Sequence, residues 1–207
     1  MPSKNEDLHG NAPDKATTAL LLIDVINDFN FAEADQLLQF AVPMARRIAE
    51  LKQKAKQAAL PVVYVNDNFG RWRSDFRSQV RHCLEADARG REVVDALRPE
   101  EDDYFVLKPK HSGFFSTTLE TLLIYFGVRS LILVGVASNI CVLFTANDAY
   151  MRDFHLYVPA DCVAANTERE NDYALEQMRV VLKADIRRSD RLPWDQIQGT
   201  SARRLPS

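Results

Sequence analysis

Cysteine is scarce in this chain, and its few cysteines do not form a recognisable framework. The 207 residues include only Cys83, Cys141 and Cys162, an odd number of cysteines set far apart. Their spacing resembles neither a disulfide scaffold nor a zinc site. We therefore expect a cytoplasmic protein from a reducing compartment, with at least one free thiol.

Long apolar runs and a basic stripe are also missing. No purely apolar run approaches the roughly 20 residues that span a membrane, and residues 1–16 lack the apolar core of a signal peptide. The net charge is -3, with the two signs interspersed. We expect neither a membrane nor a nucleic acid as partner.

The length favours one domain. We predict a mobile leader over residues 1–16, a domain over residues 17–189 and a polar C-terminal tail over residues 190–207. Near-continuous apolar runs are typical of strands buried on both faces of a parallel sheet. Such runs occupy residues 17–24, 61–67, 104–108, 130–135, 154–159 and 184–189.

Helical patterns separate these runs. They cover residues 41–60, 74–97, 117–126, 139–152 and 168–183. Strands that alternate with helices predict an α/β protein whose parallel sheet is covered on both faces. The expected fold is a three-layer α/β/α sandwich with a six-stranded, mainly parallel sheet.

Ionisable residues follow several of the predicted strands. Asp24, Asp67 and Lys108 end three of them, and the segment GVASNIC at 135–141 follows a fourth. Because open parallel sheets bind ligands beyond the carboxyl ends of their strands, these residues mark a candidate site.

Cys141 is the candidate nucleophile. It lies near the start of a predicted helix, where free amide groups favour an anion, so we expect a lowered pKa and more thiolate. The alternative is a buried cysteine that packs as a small hydrophobic residue.

Asp24 and Lys108 are its candidate partners. An acid at the end of an apolar strand needs a partner or a function, although Asp24 could instead cap a loop. A lysine between a carboxylate and a thiolate would favour both anions, although Lys108 could also be a solvated strand end. Their convergence with Cys141 favours a nucleophile with its own base.

Three segments resemble one known family. LLLIDVINDF, VLKPKHSGFFSTTLE and GVASNICVLFTANDA resemble, in order, the signature segments of the isochorismatase-like cysteine hydrolases. This family includes nicotinamidases, N-carbamoylsarcosine amidohydrolases, ureidoacrylate hydrolases and isochorismatases. The resemblance implies a Rossmann-like hydrolase fold, a small-molecule substrate and a homo-oligomer, either a dimer or a tetramer.

The resemblance also implies roles for single residues. The catalytic triad falls on Asp24, Lys108 and Cys141, and a cis peptide bond falls between Val136 and Ala137. The backbone amides of Ala137 and Cys141 would form the oxyanion hole. Asp24 would deprotonate the thiol, which would attack an amide, ureido or carbamoyl carbonyl to give a thioester.

The sequence departs from the family pattern at positions that concern the cofactor and the substrate pocket. Nicotinamidases bind a metal through an Asp-x-His pair after the second strand, but Phe69 stands at that histidine position here. We therefore expect no metal and no other cofactor, with Asp67 bonded to loop backbone. Possible pocket residues, which could equally pack in the core or in a dimer, are Phe29, Phe31, Trp72, His111 and Phe115.

Two other functions stay open. One is vinyl-ether hydrolysis of the isochorismatase type, which needs Asp24 but not the thiol. The other is a non-catalytic or redox-responsive binding protein on the same fold.

Overall fold

The computed structural model describes residues 15–70, 75–85 and 87–199. Within these residues, six strands form one sheet in the order β3-β2-β1-β4-β5, with β6 pairing to β4, and every printed pair is parallel. The strands are β1 Thr18–Ile23, β2 Val62–Asp67, β3 Tyr104–Lys108, β4 Ser130–Val136, β5 His155–Tyr157 and β6 Val163–Ala164.

Helices cover both faces of this sheet. They are α1 Ala34–Gln57, α2 Phe76–Cys83, α3 Arg91–Ala96, α4 Leu119–Phe126, α5 Leu143–Tyr150, α6 Glu168–Val180 and α7 Trp194–Gly199. Side chains of α1 to α3 pack in one apolar cluster, and those of α4 to α6 pack in another. The three-layer α/β/α sandwich with a parallel six-stranded sheet is therefore confirmed.

The central strand β1 contributes to both clusters. Leu20 and Leu22 belong to the cluster beneath α1, whereas Leu21 and Ile23 belong to the cluster beneath α4 to α6. Successive side chains of a strand point to opposite faces, so an uninterrupted apolar run fits a strand that is covered on both sides. This is why the apolar runs located most strands correctly.

Gly135 allows β1 and β4 to approach closely just before the site. Its φ is +117°, and a Cβ atom at this position would lie 2.1 Å from the carbonyl oxygen of Ile23. Only glycine fits both the backbone conformation and the space. The end of β4 is thereby held against the end of β1.

The structure differs from the sequence prediction in the position of the sixth strand and in the helix predicted for residues 74–97. The predicted sixth strand at 184–189 is wrong, since this segment makes only an isolated bridge between Tyr157 and Asp185. The sixth strand is the short β6, which lies beside β4. The single helix predicted for 74–97 is divided into α2 and α3 by the segment around Gly90, which packs closely against Asn27 and Phe29.

The first part of the expected C-terminal tail is folded. Leu192 and Ile197 are buried in the cluster beneath α1, and the Thr18 hydroxyl donates a hydrogen bond to the carbonyl of Ile197 at 3.1 Å. Residues 190–199 therefore pack on the domain. The sequence did not show this because the three large apolar side chains of this short polar segment, Leu192, Trp194 and Ile197, are too few to define a period.

None of the described helices is both long and apolar enough to cross a bilayer.

Candidate active site

Three neighbouring strands place charged residues together at their carboxyl ends. Asp24 follows β1, Asp67 ends β2 and Lys108 ends β3. Asp67 and Lys108 are register partners across β2 and β3, and the backbone N–H of Asp24 donates to the carbonyl of Val65 at 3.0 Å. The parallel arrangement therefore gathers two acids and one base that lie far apart in the sequence.

Lys108 lies between the acid and the thiol. Its Nζ is 2.8 Å from Oδ2 of Asp24, 3.5 Å from Sγ of Cys141 and 3.7 Å from Oδ2 of Asp67. The side chain is completely buried. Burial alone would lower the pKa of Lys108, but the surrounding charges of Asp24, Cys141 and Asp67 raise it, so Lys108 is an ammonium at neutral pH.

Asp24 is held in place by its backbone and by its partners. Its φ is +51°, in the left-handed region that aspartate adopts more readily than most residues. Oδ1 accepts the backbone N–H of Asp67 at 2.6 Å, and Oδ2 lies 2.8 Å from Nζ of Lys108. Burial raises the pKa of Asp24, against the lowering influence of Lys108, so this carboxyl is a stronger proton acceptor than an exposed aspartate.

Cys141 lies in the π-helical turn Ser138–Val142 that leads from β4 into α5. The expectation of a lowered pKa is wrong. Burial and the adjacent Asp24 carboxylate raise the pKa of the thiol more than Lys108 lowers it. A preformed thiolate at Cys141 is therefore disfavoured in the free protein.

The turn before Cys141 has the backbone geometry that the resemblance implies. The peptide bond between Val136 and Ala137 is cis. The carbonyl of Ala137 accepts the N–H groups of Ile140 and Val142, at 3.0 and 3.2 Å. These bonds fix the turn that carries the nucleophile.

Thr145 ties this turn to the loop after β3. Its hydroxyl donates to the carbonyl of Cys141 at 2.7 Å and accepts the N–H of Gly113 at 3.0 Å. A second connection joins the hydroxyl of Ser112 to Asp148 of α5. The sequence analysis assigned no role to Thr145 or Asp148. Their positions one and two turns along the helix from Cys141 were the available signal.

The predicted pocket residues are not equivalent. Nδ1 of His111 lies 3.8 Å from Sγ of Cys141, so His111 is at the site. Phe29 is fully buried in the cluster beneath α1 and cannot line a pocket, which corrects that expectation. Phe31 and Phe115 are exposed and remain predictions. Trp72 lies outside the described residues.

A large surface cavity lies away from the candidate catalytic residues. A cavity of about 430 Å³ opens between α1 and α6, with Met44, Asp161 and Asn171 in its lining, but it includes none of the three predicted catalytic residues. The candidate site is defined by the contacts around Cys141 instead.

Asp67 bonds to loop backbone, as its sequence position indicates. Oδ1 of Asp67 accepts the N–H of Phe69 at 2.6 Å, while its other oxygen faces Lys108. Among the described residues, no three His, Cys, Asp or Glu side chains are grouped as metal ligands.

The molecule is a three-layer α/β/α protein whose parallel strands bring an acid, a buried lysine and a cysteine together at their carboxyl ends. The Isochorismatase domain model matches residues 18–186 of the chain. The chain belongs to the isochorismatase family.

Named relatives support this membership. The isochorismatase family protein YaaI of Bacillus subtilis is 42% identical over 172 residues, covering 83% of this chain and 94% of its own length. The ureidoacrylate amidohydrolase RutB of Methylobacterium radiotolerans is 30% identical, covering 78% and 71%. The crystal structure of N-carbamoylsarcosine amidase from Thermoplasma acidophilum is 31% identical with a TM-score of 0.64, covering 86% and 99%.

Proposed function

We propose that this chain is a cysteine hydrolase that cleaves a C–N bond of a small amide, ureido or carbamoyl substrate through a thioester on Cys141. One observation carries the proposal: the buried ammonium of Lys108 contacts both the Asp24 carboxylate and the Cys141 sulfur. The amidohydrolase and amidase names of two relatives support the substrate class.

The first step is proton transfer from the thiol to Asp24. Both groups contact Nζ of Lys108, and burial makes the Asp24 carboxylate more basic. The sulfur forms a bond to the substrate carbonyl carbon as it loses its proton. Lys108 stays within reach of both groups, so it stabilises the negative charge before and after the transfer.

The carbonyl oxygen of the substrate becomes an oxyanion in this step. The backbone amides of Ala137 and Cys141 are its proposed donors, because Ala137 directly precedes the turn that carries the sulfur and Cys141 lies within it. Asp24 then returns the proton to the departing nitrogen, and the C–N bond breaks. Water hydrolyses the thioester and restores the thiol.

Vinyl-ether hydrolysis is a second candidate, favoured by the raised pKa of Asp24. A carboxyl that holds its proton more tightly than an exposed aspartate can donate it to an enol-ether carbon. This chemistry needs no sulfur nucleophile.

Turnover of candidate substrates separates the two proposals. Ureidoacrylate, N-carbamoylsarcosine and nicotinamide are assayed for ammonia release, and isochorismate for pyruvate release. We expect ammonia from at least one of the first three, a covalent adduct on Cys141 by mass spectrometry, and complete loss of turnover in Cys141→Ala. Cys83→Ala, which changes a buried cysteine in α2, is the matched control. Full ammonia release by Cys141→Ala would contradict the thioester mechanism.

A further inference from the structure

His111 approaches the sulfur from the exposed side of the site. Its Nδ1 is 3.8 Å from Sγ of Cys141, and the residue is exposed to solvent. Lys108 and Asp24 are buried and contact the same sulfur from within the protein. Cys141 therefore lies between a buried acid–base pair and an exposed imidazole.

The position of His111 is fixed by its surroundings. Its ring packs against the ring of Phe144, with 5.4 Å between the centroids. The next two residues along the chain are tied to α5, Ser112 through Asp148 and Gly113 through Thr145. Because Phe144 and Thr145 belong to the helix that follows Cys141, the imidazole and the sulfur are held by the same element.

Asp24 is less suited to the second half of the reaction. One of its oxygens accepts the N–H of Asp67 and the other contacts Lys108. Only 6% of the residue is exposed. Water that attacks a thioester on Cys141 arrives from solvent, on the side where His111 lies.

We propose that His111 is a catalytic residue of thioester hydrolysis, taking a proton from the attacking water and passing it to the departing sulfur. The proposal rests on the proposed thioester mechanism. The water oxygen forms a bond to the acyl carbon while one of its protons moves to the imidazole. The C–S bond then breaks, the acid product leaves, and the imidazolium returns the proton to sulfur.

The return of this proton agrees with the resting state of the site. Sγ lies 3.8 Å from Nδ1, and desolvation and the Asp24 carboxyl raise the pKa of the Cys141 thiol. A thiolate that leaves the acyl group must therefore regain a proton before the next cycle. His111 supplies that proton directly, without passage through Lys108.

An activated ester isolates this step, since its leaving group needs no protonation. We choose p-nitrophenyl acetate and measure the initial burst of nitrophenolate, the steady rate that follows, and the acetyl adduct by intact mass. His111→Gln is expected to keep a burst of about one equivalent per subunit, while its steady rate falls about 100-fold, which is the usual contribution of a general base. The acetyl adduct on Cys141 should then accumulate.

Two controls separate a chemical role from a structural one. His155→Gln changes an exposed histidine of β5 and should behave as the wild type. His155 pairs with Ser130, the first residue of β4, so it lies at the opposite end of the strands from the site. Added imidazole should restore the steady rate of His111→Ala, which a purely structural role of His111 would not allow.

The possible failures are distinguishable. A wild-type steady rate in His111→Gln, or loss of its burst with the fold intact by circular dichroism, overturns the role of His111 alone. The absence of a burst and of an adduct in the wild-type protein overturns the thioester mechanism itself.

Discussion

The ion pair between Lys108 and Asp24 gives the sharpest test of the site's energetics. Lys108 is fully buried, and its Nζ is 2.8 Å from Asp24 and 3.7 Å from Asp67. Lys108→Met keeps most of the side-chain volume but removes the charge. The variant leaves two carboxylates at the sheet edge without their shared cation.

The expected destabilisation follows from this geometry. Removing one partner of a buried ion pair lowers the free energy of unfolding by about 3–5 kcal/mol, because the other charge stays buried and unpaired. In a domain of this size, 1 kcal/mol shifts the thermal midpoint by about 2–4 °C. Lys108→Met is therefore expected to melt roughly 6–20 °C below the wild type.

A second substitution tests whether unpaired charge is the cause. Burial raises the pKa of Asp24, so its carboxylate is the disfavoured form in the folded state and Asp24→Asn removes that penalty. In the Asp24→Asn background only Asp67 loses its cation, and its side chain is 32% exposed. Lys108→Met is then expected to lower the free energy of unfolding by only about 1–2 kcal/mol.

Urea denaturation of the wild type, both single variants and the double variant measures this coupling. Lys110→Met is the matched control, since Lys110 is exposed and lies two residues along the chain. It is expected to change the free energy of unfolding by less than about 0.5 kcal/mol. Equal effects of Lys108→Met in both backgrounds would refute the reasoning, because the effect would then come from packing alone.

Two further predictions concern the turn and the thiol. Gly135→Ala should lower the free energy of unfolding several-fold more than Gly127→Ala. Both glycines have a positive φ, but only at position 135 would the new Cβ atom meet backbone, 2.1 Å from the carbonyl oxygen of Ile23. Equal melting temperatures of the two variants would contradict this. Because the pKa of Cys141 is raised, its thiolate fraction keeps growing as the pH rises. The rate of alkylation by iodoacetamide, measured by mass spectrometry, should therefore still increase above pH ~9. A rate that levels off near neutral pH would show a lowered pKa instead.

The sequence predicted those parts of the molecule that depend on local patterns. Strands β1 to β5 each begin and end within two residues of a predicted apolar run, because the near-continuous apolar composition of a strand in a parallel sheet is a local pattern. The edge strand β6 has two residues and was missed, since its position depends on Gly135 and Val136 of β4 and not on its own pattern. Helix α1 begins at Ala34, earlier than predicted, because its buried stripe continues back through Leu37.

The sequence likewise predicted some features of the candidate site and not others. The edge of the sheet shared by Asp24, Lys108 and Cys141 followed from strand order, since parallel strands place their carboxyl ends together. The pKa of Cys141 did not follow, because it depends on burial and on the distance to Asp24, which a single sequence does not contain. The bracing by Thr145 likewise appears only when the loop after β3 meets α5.

The charges at the site explain why a protonated thiol suits this arrangement. A thiolate at Cys141 would place a further negative charge beside the Asp24 carboxyl, with Lys108 as the cation that both groups contact. Moving the proton from Cys141 to Asp24 leaves the total charge unchanged, so the nucleophile forms without adding charge to a buried site. The lysine remains in contact with whichever partner is negative. Reactivity then depends on a substrate carbonyl that accepts the sulfur, because the raised pKa of Cys141 disfavours a free thiolate.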